Sequence, residues 1–229
     1  MEFNATTLLA IGQIIWIDLL LSGDNAVVIA LACRSLPENQ RRWGIIFGAG
    51  AAVGLRILFA LVITQILAIP FLQALGGVLL FWIAIKLVKG EEEEEKNIKA
   101  SDRLWGAVRT IAMADAVMSL DNVVAISAAS HGNVWLFIFG LLLSVPLIVF
   151  GSTLVMGLIS RYPIFVWAGA ALLGWIAGEM LARDTALLDL VGYHPTGAAH
   201  YVFAAAGAAF VLALGYFLKK RTSQEPHTS

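Results

Sequence analysis

The chain is 229 residues long, 59% hydrophobic and only 14% charged, with a mean hydropathy of +0.83. Soluble domains run about 45–50% apolar and about 25% charged, so the composition excludes an ordinary soluble domain and predicts a polytopic membrane protein. A net charge of −1 gives no support for a nucleic-acid partner, and the single cysteine, Cys33, excludes a disulfide framework or a thiolate metal cage.

The first stretch, MEFNATTLLAIG, lacks a basic n-region, and an acidic residue interrupts its apolar run. It reads as an uncleaved first span and not as a removable signal peptide. Seven apolar segments follow one another at 8–32, 44–66, 69–88, 106–130, 134–158, 164–182 and 201–218. Each is long enough to cross the ~30 Å hydrocarbon core as a helix. The runs are continuous and do not alternate in hydrophobicity, which argues against a β-barrel. The predicted fold is an all-α integral membrane protein, a single transmembrane domain over 1–229 with seven transmembrane helices. An acidic linker at 89–105 contains GEEEEEKNIK, which reads as solvated chain. Counted from an outside N-terminus, 13 of the 15 basic residues fall in inside loops or the tail; Arg183 lies in an outside loop and Arg56 within a span. The positive-inside bias therefore places the N-terminus outside and the C-terminus in the cytoplasm.

The chain repeats itself. Asp18, Ser22, Asp24 and Asn25 match Asp115, Ser119, Asp121 and Asn122 at one offset of 97 residues. WGIIFG at 43–48 matches WLFIFG at 135–140, an offset of 92, and WIAIKL at 82–87 matches WIAGEM at 175–180, an offset of 93. Pro70 and Pro163 share that last offset. Spans one to three (8–88) thus duplicate spans four to six (106–182), and the helix at 201–218 is an addition. Three is odd, so the second copy enters the membrane from the opposite side. Such inverted-topology repeats are common in secondary transporters, whose sites lie near the midplane between the copies.

The duplicated polar motif is costly. A carboxylate at the centre of a membrane helix costs about 2.5–3.5 kcal/mol on insertion scales, so four cost on the order of 10 kcal/mol. Intramembrane acids usually mark an ion, proton or substrate path. Asp, Asn and Ser offer oxygen ligands, which suit magnesium, calcium and manganese. Zinc or copper would draw on His or Cys, and the motif has neither. Two ionised aspartates neutralise one divalent cation, and protons can take its place when it leaves. Along an intact helix Asp18, Ser22 and Asn25 share one face, while Asp24 lies about 120° away. Two arrangements reconcile this: the helix unwinds, at Gly23 in the first copy, or it stays intact, with Asp24 and Asp121 binding and Asp18 and Asp115 gating about 9 Å away along the axis. Leu120 stands where the second copy would need a glycine.

These paired D-x3-S-x-D-N motifs, at 18–25 and 115–122 in the first and fourth of seven spans, resemble the signature of the TerC family of bacterial membrane proteins, in its short branch. The resemblance covers the whole chain apart from the acidic loop and the tail. It implies a seven-helix fold related to the LysE-type exporters, a place in the bacterial cell membrane, and efflux of divalent metal, chiefly manganese, besides an older association with tellurium resistance. Carried over by position, Asp18, Asp24, Asn25, Asp115, Asp121 and Asn122 are the expected metal-path residues, with Ser22 and Ser119 secondary.

Other polar residues carry weaker signals. Arg56, near the middle of the second span, is either a counter-charge for the aspartates or packs toward a carbonyl or lipid phosphate. Lys86 and Glu179 can snorkel to their interfaces; Glu179 could instead serve an external exit. His194 and His200 lie outside with Asp184 and Asp189 as weak ligand candidates, and His131 ends the fourth span facing water. The small residues of AAAGAAF in the seventh span allow close helix contact, in the core or at a homodimer seam. The leading reading is a non-enzymatic exporter of divalent cations, with no permanent cofactor and with protons as counter-ion. An intramembrane aspartyl protease is the rival, although it needs one aspartate per helix where this chain has two plus an asparagine. A metal-delivery or assembly protein without large flux would share the same site.

Overall fold

The computed structural model describes residues 12, 15, 23–66, 69–89, 100–129, 134–193, 195 and 198–222; at 63–66, 120–129, 134, 136, 221 and 222 only the backbone is described. Asp18, Ser22, His131, His194, the acidic run at 91–95 and the approach to Gly23 lie outside the described residues. Those residues contain eight helices and no strand: α1 (Gly23–Cys33), α2 (Glu38–Ile66), α3 (Leu72–Lys89), α4 (Ala100–Ala129), α5 (Val134–Arg161), α6 (Ile164–Arg183), α7 (Thr185–Val191) and α8 (Ala199–Thr222). Within that set α2, α3, α5, α6 and α8 are long and apolar enough to cross a membrane, and α1 is a shorter apolar helix. The helices form two compact units, one of α1, α2, α4 and α5 and one of α3, α6, α7 and α8.

In the first unit α1 is buried around most of its circumference: eight of its 11 residues are inside, among them Val28, Ile29, Leu31 and Cys33. A helix apolar all round belongs in the middle of a bundle, and α1 packs against α2, α4 and α5. The turn into α2 is tied by Arg41, whose guanidinium donates to the carbonyls of Leu36 (3.0 Å) and Arg34 (3.4 Å). Those carbonyls sit at the end of α1, where helical partners run out. Helix α2 then runs parallel to α4: Gly44 faces Leu104, Gly48 faces Ile111, and Arg56 reaches Asp115. At Gly48 an added Cβ would push against the end of the Ile111 side chain, which would have to turn aside. Trp43, Phe47 and Trp105 stack in series near the start of both helices, with centroids 5.4 and 6.0 Å apart, and stay exposed as interfacial aromatics do. Val62 leaves helical geometry (φ −125°, ψ 15°) and kinks the last turns of α2.

In the second unit α6 is antiparallel to both α3 and α8. Ala74 at the start of α3 meets Asp184 past the end of α6, and Gly77 lies against Ala177 and Leu181. Gly174 and Gly178 form a G-x-x-x-G face that closes on Gly207 and Phe203 of α8; a Cβ on Gly174 would stand 2.6 Å from the Gly207 carbonyl oxygen. Ala204, Gly207 and Ala208 of α8 thus form a backbone-to-backbone seam with α6, while Ala205, Ala206 and Ala209 stay exposed. Asp184 is buried and caps two helices: Oδ1 accepts from the Leu187 amide of α7 (2.9 Å), and Oδ2 accepts from the Ala74 amide of α3 (2.9 Å). Gly192, at φ 70°, ends α7 in the left-handed region and donates its amide to the Leu188 carbonyl. Four positions of α3 and their counterparts 93 residues later in α6 are buried alike: Gly76 and Gly169, Gly77 and Ala170, Leu80 and Leu173, Ala84 and Ala177. Lys86 lies over the Trp82 ring at 5.7 Å and Lys219 over Trp167 at 5.9 Å.

Candidate cation site

The polar residues singled out in the sequence and described in the structure, Asp24, Asn25, Arg56, Asp115 and Ser119, all belong to the first unit. Asp24 sits in the first turn of α1, half-buried, and its Oδ1 accepts the backbone amide of Asn25 at 2.9 Å. Asn25 beside it is 3% exposed, and neither its Oδ1 nor its Nδ2 has a hydrogen-bond partner among the described residues. An unsatisfied buried amide costs about 1–3 kcal/mol per group. A buried amide therefore calls for a polar partner.

Helix α4 brings the second copy of the motif. It runs unbroken from Ala100 to Ala129, straight through the motif, so here the helix is intact and Leu120 causes no unwinding. The spacing of four places Asp115 and Ser119 one turn apart on one face, and both are buried. Arg56 of α2 meets that face with no exposure at all. Its Nη2 donates to Asp115 Oδ1 at 2.6 Å, its Nε approaches Asp115 Oδ2 at 3.3 Å, and the same Nε donates to Ser119 Oγ at 3.1 Å. Ser119 in turn donates its hydroxyl to Asp115 Oδ2 at 2.9 Å. A guanidinium fork on a carboxylate is the strong form of the buried ion pair. Asp24 lies close enough for the charges of both Arg56 and Asp115 to act on it, so three ionisable groups from three helices share one region.

Asp121 and Asn122 are carried by α4, with their side chains outside the described residues. Among the described residues there is no group of three His, Cys, Asp or Glu side chains spaced to hold a metal. The oxygen donors described here are one carboxylate, one amide, and a carboxylate and a hydroxyl engaged by arginine. Two of the other polar candidates have structural duties: Glu179 pairs with Arg183 at 2.5 Å, and Asp184 is the double cap. The role of Asp184 had a sequence signal, since Asp before a short apolar run ending in glycine is a helix start and stop.

Apolar helices of membrane length around a buried set of aspartate, asparagine, serine and arginine define a multi-pass integral membrane protein with a polar interior. The chain belongs to the TerC family: the model of that integral membrane protein family matches residues 3–223. It is similar to the membrane protein YjbE of Bacillus subtilis (strain 168), 44% identical over 189 residues, covering 82% of this chain and 86% of the relative. It is also similar to YceF of the same organism, 26% identical over 224 residues (94% of this chain, 84% of the relative), and to the inner membrane protein YgdQ of Escherichia coli K12, 26% identical over 175 residues (68% and 72%). No solved structure matches the chain.

Proposed function

We propose that the protein exports divalent cations, manganese foremost, across the bacterial cell membrane by alternating access, with protons as counter-ion. The observation that carries this reading is the group formed in one unit by half-buried Asp24, the buried Asn25 amide, unpartnered among the described residues, and the buried Arg56–Asp115–Ser119 cluster. Ionisable residues at membrane depth mark transport paths, and all-oxygen donors favour hard divalent cations. The path would run through Asp18, Asp24, Asn25, Asp115, Asp121 and Asn122, with Ser22 and Ser119 in support.

Seven spans in two inverted three-helix copies plus a last helix, N-terminus outside, provide the frame. The parallel course of α2 and α4 supports it, because the second and fourth spans of such a chain cross in the same direction. So does the antiparallel packing of α3 on α6, whose matching positions are buried alike, as a two-fold relation in the membrane plane requires. The test is manganese flux in proteoliposomes with internal pH followed together with the metal, comparing wild type with Asp24→Asn and Asp121→Asn. Flux with opposed proton movement, lost in both variants, is the expected result. Tight binding without flux of manganese, calcium or magnesium would refute transport.

A further inference from the structure

The helices that follow the two copies of the motif differ at one buried position. Helices α2 and α5 correspond at an offset of 92 residues, which pairs Trp43 with Trp135 and Gly48 with Gly140. The same offset sets Arg56 against Ile148. Both are buried, Arg56 completely and Ile148 at 5% exposure. The two helices also have equivalent partners, since α4, which carries the second motif, packs on α2, and α1, which ends the first, packs on α5. The repeat therefore holds a buried guanidinium on α2 where α5 holds a buried butyl group. Helix α5 offers no substitute, for its first basic residue is Arg161 at its end.

Taking the transport reading as its basis, we infer that Arg56 is a tethered competitor for the transported cation, stationed at the second copy of the motif. Its guanidinium occupies the Asp115 carboxylate and the Ser119 hydroxyl through three contacts of 2.6, 3.3 and 3.1 Å. A divalent cation that approaches Asp115 must displace it, and the guanidinium returns when the cation leaves. Arginine suits this duty because it keeps its charge when buried and its planar fork fits a carboxylate edge-on. Arg56 limits how tightly the cation is held, which an exporter needs in order to release it.

The test is Mn²⁺ binding to the purified full-length chain in lipid nanodiscs, with Mn²⁺ efflux from proteoliposomes measured alongside. Arg56→Gln is expected to raise Mn²⁺ affinity at least tenfold and to slow release, and Arg56→Lys to raise affinity severalfold, because a point charge cannot bridge both acceptors. A purely structural arginine would lower affinity or leave it alone when replaced, so either result in a folded variant overturns the inference. If Arg56→Gln does not fold, Arg56→Lys decides, since it keeps the buried charge balanced. Wild type that binds Mn²⁺ while both variants bind no tighter refutes the competitor alone. Wild type that binds none of Mn²⁺, Ca²⁺ or Mg²⁺ refutes the transport reading and the competitor with it.

Discussion

Asp184→Ala tests how the second unit is held together. The carboxylate is 4% exposed and is the side-chain partner of two helix-start amides, Ala74 in α3 and Leu187 in α7, each at 2.9 Å. The first amides of a helix have no partner within it. Losing the cap on α7 should cost about 1 kcal/mol, the usual figure for a capping side chain cut to alanine. Leaving the Ala74 amide buried and unpaired adds about 1–3 kcal/mol. The total is about 2–4 kcal/mol, which for a chain of this size lowers the melting temperature by roughly 5–15 °C. Thermal unfolding in detergent, followed by tryptophan fluorescence, reads this directly. Asp184→Asn should fall between the two, because its amide keeps one acceptor oxygen and turns an NH₂ toward the other donor. A melting temperature for Asp184→Ala within about 2 °C of wild type would refute the double cap.

Three further outcomes are expected. Asn25→Leu should raise the melting temperature of the metal-free protein, by about 1–3 kcal/mol in stability, while abolishing stabilisation by Mn²⁺; a lower metal-free melting temperature would show that the amide is satisfied. Arg56→Met alone should cost about 3–5 kcal/mol by stranding the Asp115 charge, and Arg56→Met with Asp115→Leu should regain most of it; a double-mutant cycle on melting temperature measures the coupling. Gly174→Ala should cost about 1–3 kcal/mol, since its Cβ falls 2.6 Å from the Gly207 oxygen and 2.8 Å from Val211. Gly54→Ala, where the space is open, should be neutral or stabilise by up to about 1 kcal/mol; equal effects of the two changes would refute the seam.

Hydropathy located the five helices long and apolar enough to cross a membrane, α2, α3, α5, α6 and α8, because the bilayer is a strong filter on composition, yet it shortened helices at charged ends. The segment expected at 44–66 is a helix from Glu38, and the one expected at 106–130 starts at Ala100. Glu38, Arg41, Asp102 and Arg103 lower a hydropathy average but continue the helix, since long charged side chains reach the interface from its end. The candidate site was legible as residue types, because carboxylates in an apolar run need a reason. Its pairing was not. That Arg56 reaches Asp115, 59 residues away, depends on how α2 lies along α4. The mismatch of Arg56 with Ile148 was present in the repeat itself and needed only the two copies to be aligned through the second span. Asp184 looked like a loop acid because its second partner, Ala74, is 110 residues back.

The membership of the two units has a consequence for biosynthesis. Among the described residues helix α3 packs on α6 and α8, yet it leaves the ribosome 75 residues before α6 begins (164 − 89). At about 5–20 residues per second that is a wait of roughly 4–15 s, during which Gly77 lacks the α6 surface it packs against. Neither half of the chain contains a complete unit, so a nascent chain truncated before α6 should be a substrate for quality-control proteolysis. Two fragments divided in the 90–99 segment and made in the same cell should rescue each other.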